Sequence, residues 1–177
     1  MAEQLYTIPV NDAFDADSEC PICLMYKTLE SNAIDFTMGP SYMEDDVRIA
    51  TNQSGFCSTH IKQLYKQQNR LGLALMELSH LDRCIDEMEK RKGKRSQGGL
   101  FSKKEDKSPL KMYTDQLEHS CYICDRIEGT FQRYIATLFY LYQREPEFIK
   151  KFEKSKGFCI QHYTLLFEEA SKQLPGK

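Results

Sequence analysis

No apolar run in this 177-residue chain approaches the ~20 residues that a bilayer-spanning helix needs. Met1 to Val10 lack a basic stretch followed by an apolar core, so no secretory signal is expected and the chain is read as cytoplasmic. No segment sustains a two-residue alternation between turn signals, which argues against strands. A Walker loop, a dinucleotide fingerprint, a Ser/His/Asp arrangement and paired carboxylates in an apolar setting are all missing. These absences remove the ordinary signatures of catalysis, and the expectation is a non-enzymatic protein.

Net charge is also low, at −2, but it is unevenly spread. Residues 1–89 carry 6 basic and 15 acidic side chains, residues 90–111 carry 9 basic and 2 acidic, and residues 112–177 carry 9 of each. The positive charge is confined to one connecting segment, which is not a general nucleic-acid footprint. Binding of phosphates through that segment is kept as a weak alternative.

Cysteine, by contrast, is present in an ordered pattern. Cys20 and Cys23 are followed by Gly55-Phe56-Cys57-Ser58-Thr59-His60, and Cys121 and Cys124 by Gly157-Phe158-Cys159-Ile160-Gln161-His162. The two copies read C-x2-C-x33-C-x2-H and C-x2-C-x34-C-x2-H. Six of the 7 cysteines and two of the 4 histidines fall into this scheme. In a reducing compartment such pairs signal metal or redox chemistry more often than disulfides. Buried hydrophobic cysteines would not explain a histidine three residues after a cysteine twice over.

Residues three apart on a helix share a face, with Cβ atoms ~5–6 Å apart, so each Cys-x-x-His pair can hand two donors to one ion. A helix N-terminus also favours thiolate over thiol. Each glycine is expected to let the backbone reverse, and each phenylalanine to shield its site from water. Three thiolates and one imidazole saturate a tetrahedral zinc ion and leave no position for a catalytic water. Two Zn²⁺ per chain are therefore expected, with an iron–sulfur cluster as the alternative cofactor. The nearly equal intervals favour self-contained sites, Cys20, Cys23, Cys57, His60 and Cys121, Cys124, Cys159, His162. A cross-brace, with one all-cysteine site and one of two cysteines and two histidines, is the other pairing weighed. These paired modules resemble an uncharacterised bacterial family of anaerobes, a domain of unknown function. The likeness extends over nearly the whole chain and implies no activity.

The fold expected is all-α: internally duplicated helical modules, each stapled by a CCCH metal site, joined by a long helix and a flexible basic linker. The modules would span residues 1–92 and 109–177, with the linker at 93–108. Residues 1–18 read as extended and irregular, because Pro9, Asn11, Asp12, Asp15 and Asp17 form turns and caps. A helix carrying the first Cys-x-x-Cys is expected from about Ser18 to Ser31, and a short one from Tyr42 to Thr51. A long helix should then run from Cys57 to about Lys90, its apolar face formed by Ile61, Leu64, Leu71, Leu75, Leu78, Ile85 and Met88. In the second half a helix carries Cys121 and Cys124 near its start, Pro146 opens a short one, and a last helix bears Cys159 and His162.

Cys84 and His80 lie four apart and could make half of a third site, but the favoured reading is a core cysteine and a surface or interface histidine. His119 is read as a capping or solvent-facing residue. The function expected is structural: two zinc sites brace a surface for a protein partner or a homo-oligomer. The rival is redox work, with the Cys-x-x-Cys pairs in electron transfer or redox sensing.

Overall fold

A computed structural model describes residues 6–93 and 108–174, and all the regular secondary structure in them is helical. The helices are α1 Thr7–Asp15, α2 Pro21–Met38, α3 Asp45–Ser54, α4 Ser58–Lys66, α5 Arg70–Arg91, α6 Pro109–Glu118, α7 Tyr122–Arg144, α8 Pro146–Lys154 and α9 Ile160–Gln173. A 3-10 turn, Pro40–Met43, precedes α3. The fold is all-α, as the lack of strand patterning implied. The linker expected to be flexible, 93–108, lies almost wholly outside the described residues.

These helices form two compact units that interleave along the chain. Unit 1 comprises Met1–Asn32 and Arg126–Lys177, and unit 2 is Ala33–Asp125. Consecutive modules ending at 92 and starting at 109 do not describe this division, because residues on both sides of the linker belong to unit 2. The guanidinium of Arg91, the last residue of α5, stacks 4.6 Å from the ring of Tyr113 on α6.

Unit 1 contains a helix where irregular chain was expected. In α1, Val10, Ala13 and Phe14 make one buried face. Pro9 sits in the first turn, where its missing N–H would have had no partner anyway. Asn11 bonds the Thr7 carbonyl at 3.0 Å. Burial therefore outweighs the weak helix propensity of these residues. Phe14 meets Phe148 edge-on at 5.0 Å and stacks near Phe152 at 5.8 Å, and Lys151 of α8 reaches Asn11 and Asp15. Ile22, Met25, Ile127, Ile135 and Leu138 complete the core.

In unit 2 the expected long helix is two helices. Asn69 ends the continuity: its Oδ1 accepts from the Gly72 N–H at 2.9 Å as the N-cap of α5, and its Nδ2 donates to the Met38 carbonyl at 3.1 Å. α5 packs against α3, where Arg48 donates to the Leu75 carbonyl at 3.2 Å and the Ser79 hydroxyl at 2.7 Å. Its buried residues are Gly72, Leu73, Met76 and Cys84, whereas Leu71, Leu75, Leu78 and Ile85, of the expected apolar face, are exposed. α2 extends to Met38, beyond the expected end at Ser31, because Ala33, Ile34, Thr37 and Met38 find burial in unit 2. α6 was not anticipated; Ser108 caps it by accepting from the Lys111 N–H at 3.2 Å. α8, opened by Pro146, lies where the sequence placed it.

Candidate metal centres

All eight candidate ligands come together, in two groups of four: Cys20, Cys23, Cys159, His162 in unit 1 and Cys57, His60, Cys121, Cys124 in unit 2. The pairing is an exchange. Each Cys-x-x-Cys meets the Cys-x-x-His of the other half of the sequence, so neither the self-contained pairing nor the cross-brace of unlike sites describes it. Both groups keep the three-cysteine, one-histidine composition. The physical reason lies in the units: unit 1 joins Met1–Asn32 to Arg126–Lys177 and so takes the first Cys-x-x-Cys and the last Cys-x-x-His, whereas unit 2, the continuous Ala33–Asp125, keeps the two pairs between them.

Local geometry explains why each pair is presented well. The carbonyls of Cys20, Cys57, Cys121 and Cys159 accept the first i→i+4 bond of α2, α4, α7 and α9, from Leu24, Ile61, Asp125 and Tyr163 at 2.8–3.2 Å. Each leading cysteine thus stands at a helix N-cap, and each second ligand, Cys23, His60, Cys124 or His162, lies one turn inside. Each group therefore gathers at two helix N-termini, where unpaired N–H groups and the macrodipole favour negative charge.

The glycines before the second pairs work as expected. Gly55 and Gly157 take positive φ of 58° and 113°. The phenylalanines anchor the turn in neighbouring aromatics. Phe158 packs on Phe14 and Phe152 with ring centroids 6.3 and 5.4 Å away, and Phe56 meets Tyr122 at 6.4 Å. The ring beside the unit 1 site is Phe131 of α7, 6.0 Å from the His162 imidazole.

The donor atoms fit one tetrahedral ion per group. In unit 1, Nδ1 of His162 lies 3.5, 3.3 and 3.2 Å from the sulfurs of Cys20, Cys23 and Cys159, and the Cys23 and Cys159 sulfurs are 3.6 Å apart. In unit 2, Nδ1 of His60 is 3.2, 3.3 and 3.4 Å from those of Cys57, Cys121 and Cys124. A tetrahedron with the usual zinc bond lengths has S–S edges of roughly 3.8 Å and S–N edges of roughly 3.5 Å. All seven cysteines are free thiols; a sulfur separation of 3.6 Å is far beyond a disulfide bond.

Protonation follows the same geometry. The backbone N–H of His162 lowers the Cys159 thiol, and for Cys57 burial, the largest single influence, is outweighed by the backbone N–H groups of His60 and Thr59 and the thiols of Cys121 and Cys124 acting together. Cys23 and Cys124 are pushed up to about 12, first by burial and then by the neighbouring thiols. Burial lowers His162, which keeps its imidazole neutral and its nitrogen able to donate electrons. Three sulfurs this close share negative charge comfortably only around a cation.

Cys84, His80 and His119 belong to neither group. Cys84 is buried with its sulfur 3.5 Å from His80 Nε2, and His80 Nδ1 donates to the Asn52 carbonyl at 2.9 Å. The His80 ring lies over Gly55, where a Cβ would come within 2.3 Å of Nε2. His119 is exposed at the C-cap of α6.

No helix among the described residues is long and apolar enough to cross a membrane. No curated protein and no solved structure matches the chain. The model of a family of unknown function, DUF6062, matches residues 1–177 in full, and the protein belongs to that family.

Proposed function

We propose that the protein is a non-catalytic zinc scaffold, in which two structural ions hold together helices that are remote in sequence and so shape a surface for a macromolecular partner. The observation that carries this reading is the closure of each group. Four donors sit at tetrahedral edge lengths, with two helix starts behind them. Three thiolates around Zn²⁺ leave one net negative charge, which the N-terminal dipoles of two helices offset. A saturated shell serves folding rather than chemistry. In unit 1 the ion would join the start of α2 to that of α9; in unit 2 it would join α4 to α7.

The donor spacing favours a single ion over an iron–sulfur cluster, whose ligand sulfurs sit on different irons and therefore lie farther apart. A cytoplasmic setting, which keeps thiols reduced, belongs to the same proposal. Nucleic-acid binding through the basic segment gains no support from Lys90 and Arg91, whose charges are both engaged by Glu87. The two like-built sites also suit an origin by duplication followed by exchange of partners.

Chelation tests the scaffold reading. A strong chelator applied to the native protein is expected to remove two zinc ions per chain and to melt helical signal in proportion. Full helicity and an unchanged melting curve in the metal-free protein would overturn it.

A further inference from the structure

Helix α5 is apolar on two opposite sides. One side, with Leu73, Met76 and Cys84, is buried in unit 2. The other carries Leu71, Leu75, Leu78, Leu81 and Ile85, which are 41–69% exposed. Solitary exposed apolar side chains need no explanation, but five on one face of a single helix do.

Their spacing is specific. Leu71, Leu78 and Ile85 recur at intervals of seven, and Ala74, Leu81 and Met88 recur at seven from a start three residues later. That is the a/d pattern of a coiled-coil seam, sustained over most of a 22-residue helix. A helix that merely covers a core has no need of this repeat on its outward side.

We propose that this face of α5 pairs with the same face of a second copy of the chain, antiparallel about a two-fold axis. In that register Leu78 of one copy meets Leu81 of the other, Leu71 meets Met88, and the small Ala74 meets the large Ile85. Every layer of the seam is filled by an a residue against a d residue. The parallel alternative sets Ala74 against Ala74 and Met88 against Met88, which leaves one layer of the seam underfilled and crowds another. Antiparallel packing avoids both mismatches and opposes the helix dipoles. The five side chains offer roughly 500 Å² of apolar surface per copy, so two copies reach about 1,000 Å², the threshold of a specific interface. A symmetric contact of this kind closes on itself and yields a dimer rather than a filament.

The inference names a partner for the surface that the scaffold reading invokes, and rests on that reading only in that bound zinc keeps unit 2 folded. Analytical ultracentrifugation of the zinc-loaded full chain tests it, with zinc content measured on the same sample. A species of twice the 20.7 kDa chain mass is expected at micromolar concentration. Leu78→Glu should weaken the dimer about 100-fold or more by placing a charge in the seam, while leaving helicity and zinc content unchanged. Ala74→Leu, which would fill the underpacked layer of a parallel dimer and tighten it, should crowd Ile85 of the other copy and leave the antiparallel dimer no tighter. A zinc-loaded chain that sediments as a monomer overturns the inference alone. So does a dimer indifferent to Leu78→Glu, and tightening by Ala74→Leu overturns the antiparallel register. A chain that folds without zinc overturns the scaffold reading instead.

Discussion

Replacing Cys159 by serine takes one donor from the group in unit 1 and none from the group in unit 2. Serine oxygen is a poor substitute for thiolate on zinc, so the variant should retain one ion instead of two. The magnitude follows from mass action. An ion present at a thousand times its dissociation constant stabilises the folded state by about 4 kcal/mol. For a unit of 60–100 residues each kcal/mol moves the melting temperature by ~4–8 °C, so the transition of unit 1 should fall by roughly 15–30 °C. Native mass spectrometry gives the stoichiometry, and hydrogen exchange gives the location. Exchange should accelerate in the first turns of α2 and α9, because Cys20 and Cys23 lose their partner although they lie 136 residues or more away. The starts of α4 and α7 should stay protected. Acceleration at Cys121–Asp125, with Pro21–Leu29 unaffected, would mean that ligands pair within each half of the sequence and would refute the exchanged arrangement.

Other perturbations give separate expected outcomes. Gly55→Ala should cost roughly 2–4 kcal/mol and weaken the unit 2 site, since its φ of 58° is strained for any side chain and the new Cβ would strike His80. Gly157→Ala, with φ of 113° and nothing within 4 Å, should cost only the backbone strain, about 1–3 kcal/mol; equal losses in thermal melts of the two variants would contradict the role given to His80. Zinc binding at neutral pH should release about two to three protons per ion, measured by titration in buffers of different ionisation enthalpy, because Cys23 and Cys124 hold their protons up to about 12 without metal. Affinity should therefore rise with pH and the ions should leave on acidification.

The ligands were legible because their spacing is local. Three residues bring Cys57 to His60, or Cys159 to His162, on any helix, whatever the rest of the chain does. Pairing was not legible, because intervals of 33 and 34 residues are reachable by several folds and do not say which pair waits at the far end. The boundaries of α8 were readable from Pro146, whereas α1 was hidden. Its asparagine, aspartates and proline favour turns, and only the burial of Val10, Ala13 and Phe14 decides for helix. The periodicity of α5 announced an apolar face correctly but could not tell inside from outside. Leu73 and Met76 turn inward, and the more regular Leu71, Leu78, Ile85 series turns to solvent. The Phe56 and Phe158 roles depended on tertiary neighbours, Tyr122 and Phe14, that spacing alone does not reveal.

X-ray absorption at the zinc edge, with elemental analysis of protein purified without oxygen, tests the central claim most directly. Two zinc ions per chain are expected, each with three sulfurs at ~2.3 Å and one nitrogen at ~2.0 Å. A metal-free yet folded protein, or iron with bridging sulfide in place of zinc, would contradict it.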